Sequence, residues 1–363
     1  MVEHAADYEW RGEGEGVEIV LYAPDARVAG SAFERILPAA RLPGVESPVH
    51  AAASPEGLGW AAVSASHAAP DLTSIPLRGL LLVADAAWES LGVPPEEVPR
   101  LIPRRLSEVR LPHLAGAGIR RICETGARGA AEDGLIEEED LPLLDPLAGD
   151  ADALGRRAIS AGDRDWDRPV EAYAYGVGEV LDAEAIDNLG LERGAFVLVV
   201  SAGAGDLGRL ALAGHRERIA GRVRGGDLGA EEDLPAAPVE AGEAADLLAA
   251  LYAAANFADG RAALLVYALR RALEGLVGGL SLRAAWRVGG IEERDGSLVH
   301  RSNLAARGDG EVLVSGGSVV AGTGKMSGSV PPFGAPEDGG GHPWEEAGLL
   351  ERWAGLDPPE GKS

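Results

Sequence analysis

The chain has 363 residues, enough for one large domain or two ordinary ones, and 46% of them are apolar although only 5% are aromatic. Its formal charge of −25, with arginine supplying nearly all the positive groups, opposes indiscriminate association with nucleic acid. The single cysteine, Cys123, excludes an internal disulfide and a thiolate zinc cluster, and no run of apolar residues is long enough to span a membrane.

In chain order, the acidic first residues lack an apolar signal core, which makes a soluble, cytoplasmic protein the expectation. Val17 to Ala23 reads as a first strand, rich in branched residues. Ser31 to Ala40 reads as a short helix, and Pro43 to Ser66, full of Gly, Pro and Ser, reads as turns. Leu77 to Asp85 is a continuous apolar run of strand length, expected to be buried. A helix is expected around Ala117 to Glu132, closed by Gly134, with Cys123 inside it as a small buried hydrophobe. The acidic stretch Leu135 to Asp152 reads as an exposed loop, and Asp152 to Ser160 as a short helix.

Glu184 to Gly190 is a further expected helix, and Ala195 to Gly203 a central strand. That strand runs into small residues and then helix, an order in which α/β proteins place functional residues. Ala241 to Gly275 is the longest helical region, with Asn256 expected to interrupt its apolar surface. The tail turns to short strands and loops. No repeat array or low-complexity linker divides the chain. The expectation is a single α/β domain, mixed sheets with flanking helices, over 1–330 and a Gly/Pro-rich tail over 331–363.

Candidate chemistry is sparse. None of the seven histidines pairs at helical spacing. Gly317 to Lys325 has part of a phosphate-loop pattern, but Met326 stands where Ser or Thr should hold magnesium, so a glycine-rich turn is the better reading. Asp163, Asp165 and Asp167 alternate as oxygen ligands to a hard cation would, or as a solvated acidic turn. Arg128, Arg164, Arg168, Arg301 and Arg307 have the guanidinium geometry for bidentate phosphate or carboxylate binding.

Four segments carry a resemblance: GARGAAEDG from Gly126, EAIDNLGLERGAFVLVVSAGAGDLG from Glu184, AAANFADGRAALLVYALRRALE from Ala253, and DGSLVHRSNLAAR from Asp295. In order and approximate spacing they resemble the RtcB-type RNA-splicing ligases, over roughly Leu42 to Gly324. The resemblance implies an RtcB-like fold. It also implies a reaction that joins 3′-phosphate or 2′,3′-cyclic phosphate RNA ends to 5′-hydroxyl ends, using GTP and manganese through a guanylylated histidine. Asn256, Arg301 and Arg307 fall on its cofactor-binding positions. Asp167 and Glu171 fall on metal-binding positions, and Arg128, Arg168 and Ser201 on phosphate or ligand positions.

The departures strike the ligase chemistry. Leu77 to Asp85 has no Asp-x-x-Cys pair, and Arg168, Ser201 and Gly290 stand at expected histidine positions. The carboxy-terminal motif that carries the nucleophile is absent. A guanidinium at a cation site is a permanent like charge, and Ser and Gly are poor or null manganese ligands. The resulting expectation is a catalytically degenerate RtcB-like protein, with no catalytic residue assigned, that binds RNA ends, a small phosphorylated ligand or a protein partner. Two alternatives stand beside it. One is an active ligase using GTP and manganese, rebuilt from Asp163, Asp165, Asp167, Glu171, His215 and His342. The other is a small-phosphate-binding or purely structural subunit.

Overall fold

The computed structural model describes residues 2–6, 9–23, 25–54, 57–87, 105, 108–109, 113–114, 116–166, 171–176, 195–228, 234–294, 297–302, 311–313, 330–333 and 351–352. The helix expected at Glu184 to Gly190 and the glycine-rich turn Gly317 to Lys325 lie outside these residues, as do Asp167, Arg168, Arg307 and His342.

The first sheet has seven strands. Strands β1 (Val2–Ala6), β2 (Glu9–Gly14) and β3 (Val17–Tyr22) form an antiparallel meander. Helix α1 (Ala26–Ile36) then crosses over to β4 (Val49–Ser54), which runs parallel to β3. Asp25 caps α1 by accepting hydrogen bonds from the Arg27 and Val28 amides, both at 2.9 Å. Val28, Ala29, Ala32, Phe33 and Ile36 form its buried stripe. Strand β5 (Gly57–Ala65) pairs with β4.

Pro43 to Ser66 therefore holds two strands rather than turns. Val49 and Ala51, then Val63 and Ala65, alternate into the core, but alanine at half of these positions hides the period of two. The two strands before Val17 lack a core-facing apolar alternation, with Glu3, His4, Arg11 and Glu13 exposed.

The short β6 (His67–Ala68) leads to β7 (Leu77–Ala87), the apolar run expected to be a buried strand. The expected helix at Ala117 to Glu132 is two helices, α2 (Ala117–Thr125) and α3 (Ala127–Glu132). The break is at Gly126, which has φ +56° and whose missing Cβ would lie 3.1 Å from Asn256 Oδ1. The acidic stretch after Leu135 is only partly exposed. Its 3-10 turn Glu138–Leu143 buries Asp140, which accepts from Arg270 Nη1 at 2.6 Å. Helices α4 (Ala151–Leu154) and α5 (Arg156–Asp165) replace the single short helix expected there.

Strands β8 (Glu171–Gly176) and β9 (Ala195–Gly203) follow in the described chain, then α6 (Gly205–Arg224), the short β10 (Ala237–Pro238) and α7 (Gly242–Leu273). Strand β11 (Leu280–Val288) joins the second sheet, and β12 (Ile291–Arg294) and β13 (Ser297–Ser302) return to the first, where β13 pairs with β5. Short strands β14 (Glu311–Leu313), β15 (Val330–Phe333) and β16 (Glu351–Arg352) complete the described elements.

The second sheet is antiparallel throughout, in the order β11-β7-β9-β8-β16, so β9 is central as expected. Leu80, Leu82, Leu198 and Val200 turn to one face and pack with α7 in the largest core cluster. Helix α7 is buried on nearly every side, which its alanines permit because backbones approach closely there. The helix runs unbroken for 32 residues, and Asn256 is a buried polar residue within its apolar surface, as expected. A separate cluster joins α6 and α7 to Ile291 and Leu298 of the first sheet. This is a mixed α/β fold in which the chain passes from the first sheet to the second and back. Among the described residues, no helix is long and apolar enough to cross a membrane.

Candidate functional site

One end of the second sheet gathers polar groups that an apolar core does not otherwise tolerate. The antiparallel register sets Glu171 opposite Ser201, and Ser201 opposite Gly79 of β7. Two residues assigned to ligand positions from separate segments thus become strand neighbours. One position along, Arg78 of β7 lies between Ala202 of β9 and Arg287 of β11.

Arg78 reaches α7 and meets Asp259. Its Nε donates to Oδ1 at 2.5 Å and its Nη2 to Oδ2 at 2.8 Å. Arg287 Nη2 donates to the same Oδ2 at 2.7 Å and to the Asp145 carbonyl. Asp259 is fully buried and Arg78 nearly so, whereas Arg287 keeps a quarter of its side chain exposed. Buried charges are tolerated only with such geometry: a planar guanidinium satisfies both carboxylate oxygens, and the second cation neutralises what remains. Two cations on one carboxylate leave the cluster with one excess positive charge, at its exposed rim.

Next to it, the strand-turn-helix junction after β9 is sealed from inside. Ala204 offers α6 no side-chain cap. Asp165, at the end of α5, supplies one instead, its Oδ2 accepting from the Leu207 amide at 3.2 Å. Gly205 has φ +56°, and a Cβ there would stand 2.7 Å from that Oδ2. Arg261 of α7 ties down the strand end by donating from Nη1 to the Gly203 carbonyl at 2.6 Å. A helix N-terminus attracts anions, and here the chain's own carboxylate takes that seat.

Asn256 has a similar internal task. Its Nδ2 donates to the carbonyls of Cys123 and Leu147, both at 2.9 Å, and its Oδ1 accepts from the Leu147 amide at 2.9 Å. The assignment of Asn256 to a cofactor is corrected accordingly. It is completely buried, and both its N–H groups and its carbonyl are spent on the backbone that crosses α7.

Asp163 and Asp165 do not share a face, and Asp167 lies outside the described residues. They lie on the last turn of α5, where Asp163 Oδ1 accepts from the Gly116 amide at 2.7 Å and Asp165 turns inward to cap α6. Residues two apart on a helix point in nearly opposite directions. Arg128 is exposed on α3. Arg301 lies opposite Ala62 in the first sheet, so it is not a strand neighbour of Ser201. Gly290 forms the turn between β11 and β12, at φ +80° with its amide donating to the Ser74 carbonyl.

His215 of α6 is buried with Nε2 3.0 Å from the Ala153 carbonyl. Burial lowers its pKa, partly opposed by that carbonyl. Cys123 is buried in α2, and burial pushes its thiol up to about 12, the opposite of an activated nucleophile. Among the described residues, no three His, Cys, Asp or Glu side chains converge as metal ligands.

No protein-family model matches the sequence, and no curated protein matches it.

The described donors at the sheet end do not fit manganese. Asp259 is already neutralised by two guanidiniums and Asp165 by a helix N-terminus, which leaves cationic charge where a dication needs carboxylates or imidazoles. Arg78, Asp259 and Arg287 were not singled out in the sequence. A signal for them existed: lone charged residues inside apolar runs are costly unless paired, so each implied a distant partner.

Proposed function

We propose that this chain is a divergent RtcB-like protein that no longer performs GTP- and manganese-dependent RNA ligation and serves as a non-catalytic scaffold. The observation that carries this reading is the Arg78–Asp259–Arg287 cluster, in which the chain's own charges fill the sheet end beside Glu171 and Ser201. Asp165 on the α6 amino terminus supports it, since that junction would otherwise be the natural phosphate seat after a central strand. Of the two groups that would take a phosphate, the guanidinium pair shares the Asp259 carboxylate and the helix end is taken by Asp165. Three of the four RtcB-like segments also supply this neighbourhood: Asn256 and Gly126 in contact, and Arg261 on the Gly203 turn.

The test is calorimetric titration of manganese into chelator-stripped full-length chain, with GTP incubation followed by intact mass measurement. The expected result is no stoichiometric manganese uptake and no guanylyl adduct. A covalent guanylyl adduct, or joining of an RNA 3′-phosphate end to a 5′-hydroxyl end, would overturn the reading.

A further inference from the structure

The exposed arginines on the helices fall into two groups. In a chain with 58 acidic and 33 basic residues, several of them find a carboxylate. Arg120 pairs with Asp152, Arg121 with Asp133, Arg209 with Asp206, Arg216 with Asp71, and Arg222 with Asp227 and Glu243. Arg156 and Arg157, on the first turn of α5, form no hydrogen bond or ion pair among the described residues. Arg164, two turns on, donates only to the carbonyl of Ser160 on its own helix, at 2.9 Å.

These three arginines converge. Arg156, Ser160 and Arg164 recur at four-residue spacing, and Arg157 lies three residues before Ser160, so all four share one face of α5. With Leu210 of α6 they line a cavity of about 350 Å³. A second cavity of about 460 Å³ adjoins it and shares Arg156, Arg157 and Leu210. Its apolar lining comes from Leu154, Ala158, Ala211 and Ala213, and His215 and Arg218 also line it. Among the described residues, no carboxylate lines the first cavity. Asp152 and Glu217 line the second cavity, Asp152 paired with Arg120.

We infer that this groove between α5 and α6 binds a small organic phosphate, its phosphate group held by Arg156, Arg157 and Arg164 and its compact body lying along the apolar lining. Guanidiniums on one face match the several oxygens of a phosphate dianion, which bidentate donation can bridge. Each cavity by itself has a volume within the range of small-molecule sites. A long polyanion is disfavoured, because the −25 charge repels it over its whole length while a compact ligand meets only the local positive field. The groove is separate from the sheet end, so the inference does not depend on whether ligation has been lost.

The test is calorimetry on the full-length chain at physiological salt with pyrophosphate, a nucleoside diphosphate, a sugar phosphate and a short single-stranded RNA. The expected result is one site per chain for at least one small phosphate. The Arg156→Gln/Arg157→Gln variant should weaken it by about a hundredfold, roughly tenfold per guanidinium. The variant's thermal unfolding should match the parent's, since neither side chain holds a described partner. Affinity unchanged in the double variant, no binding of any small phosphate at about millimolar concentration, or RNA binding tighter than every small phosphate would each overturn the inference.

Discussion

Arg78 and Asp259 lie 181 positions apart in the chain and meet as a buried two-point ion pair between the second sheet and α7. The pair joins the strand next to the sheet's centre to the helix that fills the core, and it recruits Arg287 from the neighbouring strand as a third member.

Removing the shared carboxylate leaves two guanidiniums facing each other without an anion, one of them nearly fully buried. Asp259→Ala is expected to cost about 3–5 kcal/mol of folding stability. Urea unfolding followed by circular dichroism measures it. A loss below about 1 kcal/mol would mean that solvent reaches the cluster and that it is not the closed network described.

Asn256→Ala removes three hydrogen bonds at once and strands the Leu147 amide and the Cys123 carbonyl. The expected loss is about 3 kcal/mol, with faster amide exchange at Leu147 than within α2 and α7. Equal protection of Leu147 in parent and variant would show that another group holds that backbone.

Gly205→Ala places a Cβ 2.7 Å from the capping carboxylate in a backbone conformation that L residues avoid. About 2 kcal/mol of destabilisation is expected, from the left-handed backbone together with displacement of Asp165 from the α6 amino terminus. In the Asp165→Ala background the same substitution should cost less, because the steric partner is gone. A double-mutant cycle reads the difference.

Acid should weaken the fold through His215. Burial is the main cause that lowers its pKa, with Arg218 adding to it and the Ala153 carbonyl and Asp246 opposing. The unfolded chain therefore binds this proton at a higher pH than the folded chain does. Stability from this group is complete above the unfolded value of about 6.5 and falls as pH drops through the window below it, down to the folded pKa. The urea midpoints at about pH 7.5 and about 5.5 should differ more in the parent than in His215→Gln. The same difference in both would remove His215 as a source of acid sensitivity.

The legible parts of this fold are those whose burial repeats locally. The run from Leu77 is a buried strand and the run from Ala195 the central one, because a predominantly apolar stretch of that length has both faces covered. The helices after Gly205 and Gly242 were legible from their small and apolar content. Pro43 to Ser66 was misread because alanine fills core positions without marking them, and its strands exist through pairing with β3 and β13. The candidate site was legible only in part. Glu171 and Ser201 do become neighbours, but Asn256 and Asp165 spend their polar atoms inside the fold.

By itself the sequence determined what depends on composition and on near neighbours: a large acidic α/β chain without disulfides, its central strand, and its longest helix. Tertiary structure alone decided which charges answer one another. A lone arginine in an apolar strand requires a partner, since burying it unpaired is prohibitive, but nothing near Arg78 in the chain says that the partner is Asp259. That choice is made when the sheet closes on α7, and the same closure turns Asp165 onto the end of α6 while Arg156 and Arg157, without a partner among the described residues, line the groove.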